Sequence, residues 1–223
     1  MRKSRGITTT SLCLFLITSL CPHADCCPAQ CQCTAVSGGG ERVVCPPVQT
    51  SLPPGLSPNT KTLVLTGRPL PQGSNNIPVL RQSDFTSLTA LEELTLPFAN
   101  LADIEDDALG VLVNLKRLCL HDNRLKRLTP RTFSGLGKLE YLDLNNNVNC
   151  VIQGDVFSQL TSLKTLYLGS IGLKEAKAEW FSSLSMLESL DLHGNRIEFL
   201  DSNFLRGLTN MKVCCAHVSL YQY

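Results

Sequence analysis

The sequence predicts a solenoid: short parallel strands stacked into one curved sheet, each strand returning through an irregular or 3-10 segment on the convex side. Three observations predict it. The chain of 223 residues holds 39 leucines, roughly twice the ordinary share. The leucines recur at a fixed step of 24 residues. Within each step they alternate with period two, which places them on one face of an extended segment.

Composition narrows the function classes. Charged residues are 17 % and the formal net charge is +1, which argues against a nucleic-acid binder and against a charged disordered tail. Aromatics are 6 %, so the core must be aliphatic. Eleven cysteines are many for a cytosolic chain and few for a dense disulfide knot.

The elements follow in order. Residues 1–24 read as a secretory signal peptide, with a basic start at Arg2, Lys3 and Arg5 and a short apolar run from Leu12 to Ile17. That run is short of the ~20 residues a spanning helix needs, and no later stretch approaches that length. Residues 25–59 form a cysteine-rich cap containing Cys27, Cys31 and Cys33, then Cys45 after a Gly38-Gly39-Gly40 loop. An oxidising compartment favours two disulfides over the competing zinc reading, and spacing alone leaves three connectivities open. Ten of the twelve prolines lie at or before Pro78, so the front of the chain is cap and loop.

Residues 60–210 read as six repeats. Leu91-Glu-Glu-Leu94-Thr-Leu96 recurs in register from Leu115, Leu139, Leu163 and Leu187, and a degenerate first copy begins at Thr60, 31 residues upstream of Leu91. An incomplete final repeat occupies 211–223, with no second cap and with Cys214 and Cys215 adjacent, a poor geometry for a mutual bridge. The ninth position holds Asn123, Asn147 and Asn195, whose amides can satisfy backbone groups as the chain leaves the strand, while Ala99 and Ile171 interrupt that support. A second apolar pair closes each turn: Phe85/Leu88, Leu109/Leu112, Phe133/Leu136, Phe157/Leu160, Phe181/Leu184 and Leu205/Leu208. One turn cannot bury these side chains alone, so stacking builds the core. Seven turns at the usual strand spacing make a slab on the order of 30 Å long.

Repeats and cysteine cap together resemble the extracellular leucine-rich repeat family, the group of the Nogo receptor, Slit proteins, small leucine-rich proteoglycans, Toll-like receptors and variable lymphocyte receptors. The resemblance covers essentially the whole chain after the signal segment. It implies an α/β leucine-rich repeat solenoid, Cys27–Cys33 and Cys31–Cys45 pairing, and a ligand surface on the concave sheet.

Strand residues pointing away from the core line that face. The second position reads Glu92, Lys116, Glu140, Lys164, Glu188, an alternation that suits a cross-strand ion ladder, each pair worth roughly 0.2–1 kcal/mol. Candidate ligand contacts are Phe98, Arg117, His121, Tyr141, Asp143, Tyr167, Asp191 and His193. Tyr141 and Tyr167, flanked by Arg117 and Asp143, form the best cluster, because Tyr and Arg are enriched among interface anchors. No nucleophile elbow, phosphate loop or metal-ligand spacing appears, so no catalytic, cofactor or metal site is expected. Cys119 and Cys150 read as unpaired thiols. With Cys26, Cys214 and Cys215, or with an uncapped C-terminal edge, they suggest dimerisation. No N-x-S/T sequon is present, so glycan is not expected to mask either face.

The expected function is a secreted or cell-surface, non-catalytic module that binds an extracellular protein, in matrix or adhesion. An immune-recognition ectodomain and a structural matrix protein without a discrete ligand are the alternatives.

Overall fold

The computed structural model describes residues 27–47, 49–68, 74–200 and 203–215. The expected signal segment and Cys26 lie outside them, as do residues 216–223.

Among the described residues one nine-stranded sheet runs from the cap to the last repeat, its spatial order following the sequence. It opens with the cap hairpin, β1 (Gln32–Ala35) antiparallel to β2 (Glu41–Cys45). Gly38, Gly39 and Gly40 all take positive φ at the hairpin turn, where a side chain would be strained. β2 then pairs in parallel with β3 (Thr60–Leu65). Parallel pairing continues through β4 (Glu93–Thr95), β5 (Arg117–Cys119), β6 (Tyr141–Asp143), β7 (Thr165–Tyr167), β8 (Ser189–Asp191) and β9 (Val213–Cys215).

The leucines set this register. Leu63, Leu94, Leu118, Leu142, Leu166 and Leu190 stand opposite one another across successive strands, and all are fully buried. A one-residue slip would turn that column to solvent.

The returning segments contain little helix. Among the described residues there is a 3-10 turn at Gln82–Asp84 and a single α-helical turn at Ala178–Phe181. Three two-residue parallel ribbons, which sequence reasoning missed, tie neighbouring turns together. They pair Val79–Leu80 with Asp103–Ile104, Arg127–Leu128 with Val151–Ile152, and Glu175–Ala176 with Phe199–Leu200.

A phenylalanine spine fills the interior. Phe133 and Phe157 stack at 6.1 Å, and Phe157 and Phe181 at 6.3 Å. The spine ends differently from expectation. Leu205 was expected to close the last turn but is 52 % exposed, and Phe204 is buried instead, 5.2 Å from Phe181 in an edge-to-face contact. The larger ring reaches the spine from one position earlier and displaces leucine from the column.

Cysteine pairing in the cap is Cys27–Cys33 and Cys31–Cys45. Val43 and Cys45 of β2 are buried against the first leucines, so the cap covers the apolar edge that every solenoid must protect.

The asparagine column also departs from expectation. Ala99 does not interrupt it, because Asn123 reaches back to that turn. Asn195 does the same for the turn of Ile171, accepting from the N–H groups of Ile171, Gly172 and Leu173. Where the column lacks asparagine, a main-chain carbonyl substitutes: Ile77 N–H donates to Ala99 O at 2.8 Å and Cys150 N–H to Ile171 O at 3.2 Å. Asn75 is a further member that periodicity hid. It accepts from Gln49 N–H and donates to Thr66 O. The first repeat is seven residues longer than the rest, and Asn75 falls in the column once that excess is removed.

Candidate concave interface

The third and fifth positions of each strand carry the exposed chemistry, because the intervening leucine points into the core. Register places Glu93, Arg117, Tyr141, Thr165 and Ser189 in one row, and Thr95, Cys119, Asp143, Tyr167 and Asp191 in the next. Arg117 lies over the Tyr141 ring, its Cζ 4.0 Å from the centroid, a cation–π geometry. The Tyr141 ring meets Tyr167 edge-to-face at 5.5 Å. Asp143, between Cys119 and Tyr167 in the second row, is 9 % exposed and accepts from Asn145 N–H at 3.0 Å.

Burial sets the electrostatics here. It pushes the Tyr141 phenol up to about 12, with nearby Asp143 adding to the effect. Tyr141 is therefore a neutral donor at physiological pH. Burial also raises the Asp143 carboxyl, while the Asn145 amide and the neighbouring His121 oppose it.

The structure thus gathers Arg117, Tyr141, Asp143, Tyr167 and Asp191 on adjacent strands. Asp191 extends the group by fixing His193, whose Nδ1 lies 2.7 Å from Asp191 Oδ2. Phe98 and His121 stand apart from the strands, in the turns that follow them. Their rings meet edge-to-face at 6.2 Å, and His121 Nδ1 lies 2.7 Å from Asp122 Oδ2.

The charge alternation forms ion pairs, but not a continuous ladder. Three lysines pair with the glutamate one turn before them: Lys116–Glu92 at 2.7 Å, Lys164–Glu140 at 2.7 Å and Lys212–Glu188 at 2.9 Å. Lys61 also reaches Glu92 at 3.6 Å. The hydrogen bond from Lys116 holds Glu92 below its ordinary range, and Lys164 does the same to Glu140. Sequence reasoning stopped the column at Glu92 and Glu188. Lys61 and Lys212 occupy the same position in the two degenerate repeats, so extending the count would have found them.

Cys150 corrects another expectation. Read from the sequence as an unpaired thiol available for dimerisation, it is only 6 % exposed, and burial pushes its thiol up to about 12. The cause is local. Asn149 occupies the column otherwise held by Leu101, Leu125, Leu173 and Ile197, adopts positive φ and points outward. The next residue, Cys150, turns inward to fill the space. Cys119 is half-buried, with its thiol also raised by desolvation. Among the described residues, no group of His, Cys, Asp and Glu is placed to hold a metal ion. None of the described helices is long and apolar enough to cross a membrane.

A one-layer parallel sheet with open polar rows on its concave face is the architecture of a solenoid interaction module. The chain belongs to the leucine-rich repeat family: its leucine rich repeat model matches residues 90–148, 113–171, 150–197 and 161–213, together more than half of the chain. Among solved structures, the chain is similar to the crystal structure of the TLR13–ssRNA13 complex, with a TM-score of 0.65 and 26 % identity. That match covers 82 % of this chain and 25 % of the other, so the present chain spans about a quarter of its length. No curated protein sequence matches significantly.

Proposed function

We propose that this chain is an extracellular, non-catalytic binding module that takes a protein ligand on its concave sheet, in a matrix or adhesion setting. The observation that carries the reading is the Arg117–Tyr141–Tyr167 cluster, two aromatic rings and a guanidinium packed together on an otherwise polar face. Rigid tyrosines lose little conformational entropy on binding, and such side chains dominate interface energetics. Asp143, Asp191 and His193 supply polar contacts beside them, with Phe98 and His121 at the margin. The two cap disulfides support an oxidising compartment.

A second reading, an immune-recognition ectodomain, is favoured by the likeness to TLR13. The pairing of each lysine in the Lys61, Lys116, Lys164 and Lys212 column with a carboxylate suits a protein ligand better than an extended polyanion.

Affinity capture from extracellular protein mixtures tests the proposal, using the parent chain beside Tyr141→Ala and Tyr167→Ala. Each change should weaken capture of a specific protein at least about tenfold, a loss typical of an interface anchor. Capture unchanged in both variants would sink the concave-patch reading. Ligands drawn from microbial rather than matrix material would select the immune reading.

A further inference from the structure

We propose a second binding site, separate from the Arg117–Tyr141–Tyr167 cluster and sharing only Phe98 with the margin of that face: a groove along the edge of the sheet that takes an anionic saccharide. The groove encloses about 440 Å³ and is lined by Arg68, Asn76, Phe98, Asn100, Arg124 and Asn146, among others. That volume lies within the ~300–1,000 Å³ typical of small-ligand sites.

Three independent features point to the same chemistry. The first is charge. Arg81, Arg127 and Arg131 of the neighbouring turns each pair with a carboxylate. The side chains of Arg68 and Arg124 are exposed, and neither guanidinium makes an ion pair or hydrogen bond among the described residues. Two unengaged guanidinium forks on one groove suit a carboxylate or a sulfate, which they bind in bidentate fashion.

The second feature is the row of side-chain amides. Asn100 Nδ2 donates to Asn76 Oδ1 at 2.9 Å, and Asn146 Nδ2 donates to Asp122 Oδ1 at 3.0 Å. These bonds fix the amides and leave Asn76 Nδ2, Asn100 Oδ1 and Asn146 Oδ1 to face a ligand. Alternating donors and acceptors match hydroxyl groups, each of which donates and accepts.

The third feature is Phe98. The eighth position of the four turns after that of Phe98 is left-handed: Asp122, Asn146, Ser170 and Gly194 have φ of 56°, 60°, 55° and 65°. Short polar residues and glycine tolerate this conformation, but a bulky aromatic does not. Phe98 holds it at φ 50°. Gly67 makes room for it, because a Cβ there would run into Pro97 O and the Phe98 Cβ. A strained aromatic kept on a polar groove offers a flat surface for the C–H face of a sugar ring. An apolar peptide would find no matching pocket, and its amides would compete poorly for the two cations.

Calorimetry on the full chain tests the site with three hexasaccharide probes: a heparin fragment, a hyaluronan fragment and neutral maltohexaose. The heparin fragment should bind and maltohexaose should not. Binding of hyaluronan as well assigns recognition to the carboxylate; binding of heparin alone assigns it to the sulfate. Arg68→Ala and Arg124→Ala should each weaken binding at least about tenfold, the loss expected for a charged hydrogen bond. Phe98→Asn, which suits the left-handed position, should also weaken it, while Tyr167→Ala should leave it unchanged. Both arginines are exposed, so their variants should fold. Three results would each overturn the proposal: equal binding of maltohexaose, no effect of either arginine variant, or equal affinity for single-stranded RNA of matched charge.

Discussion

Asn123 belongs to one turn and holds another. Its Oδ1 accepts from the N–H groups of Ala99, at 2.9 Å, and Leu101, at 3.1 Å, both in the preceding turn. Its Nδ2 donates to Leu96 O of that turn at 2.8 Å and to Leu120 O of its own at 2.9 Å. One buried amide therefore satisfies four main-chain groups across a turn boundary.

Replacing it should be costly. Asn123→Leu keeps the volume but orphans two donors and two acceptors. Each buried unsatisfied group costs about 1–3 kcal/mol, so we expect a loss of about 3 kcal/mol or more in urea unfolding. Asn114→Ala is the control. Asn114 is half-buried, donates to Thr89 O and accepts from Lys138 Nζ, bonds that water can replace, so that change should stay within about 1 kcal/mol. Equal effects from the two variants would show that the amide column does not support the stack.

Acid stability contains two opposed contributions. Lys116 lowers Glu92 and Lys164 lowers Glu140. A carboxylate with a depressed folded pKa stabilises above its unfolded value, about 4.3 for Glu, and loses that contribution as pH falls through the folded value. Asp143 has the opposite sign, because burial raises it. Its ionised form penalises the fold at neutral pH, and the penalty disappears as pH falls from the raised folded value to the unfolded one, about 3.9. Asp143→Asn should therefore raise the urea midpoint at neutral pH, with the gain vanishing in acid. The double change Glu92→Gln, Glu140→Gln should lower the neutral midpoint and flatten the acid limb. Midpoints measured across the acid range decide both, and a neutral-pH loss in Asp143→Asn would contradict the assignment.

Cys150 should behave as a core residue. Iodoacetamide labelling followed by mass spectrometry should leave its peptide unmodified in native protein and fully modified in urea. Cys150→Ala should cost little. Cys150→Ser buries a hydroxyl with no obvious partner and should cost about 1–3 kcal/mol. Native labelling as fast as in urea would place the thiol at the surface and restore it as a candidate for intermolecular pairing.

Legibility followed periodicity. The leucine columns, the strand positions and the Phe/Leu pairs could be read because one residue type at a fixed step leaves one packing solution. Leu205 and Cys150 failed for one reason. In each case the core is filled from one position off the column, by Phe204 in place of Leu205 and by Cys150 in place of Asn149, and a strict column count cannot see that exchange. Of the candidate site, the strand residues Arg117, Tyr141, Asp143 and Tyr167 were legible as two rows from alternation alone. The groove of Arg68, Phe98 and Arg124 was not, since its residues come from turns of unequal length whose approach depends on Asn75 falling into register.

The sequence by itself determined that this chain is a leucine-rich solenoid with a cysteine cap, because a 24-residue hydrophobic step can bury its leucines only by stacking turn on turn. Tertiary structure alone decided which turn each asparagine serves, which glutamate each lysine meets, and which arginines are left without an ion pair. Those outcomes depend on distances of a few ångströms between neighbouring turns, and a repeat pattern specifies the columns without specifying which side chains within them touch.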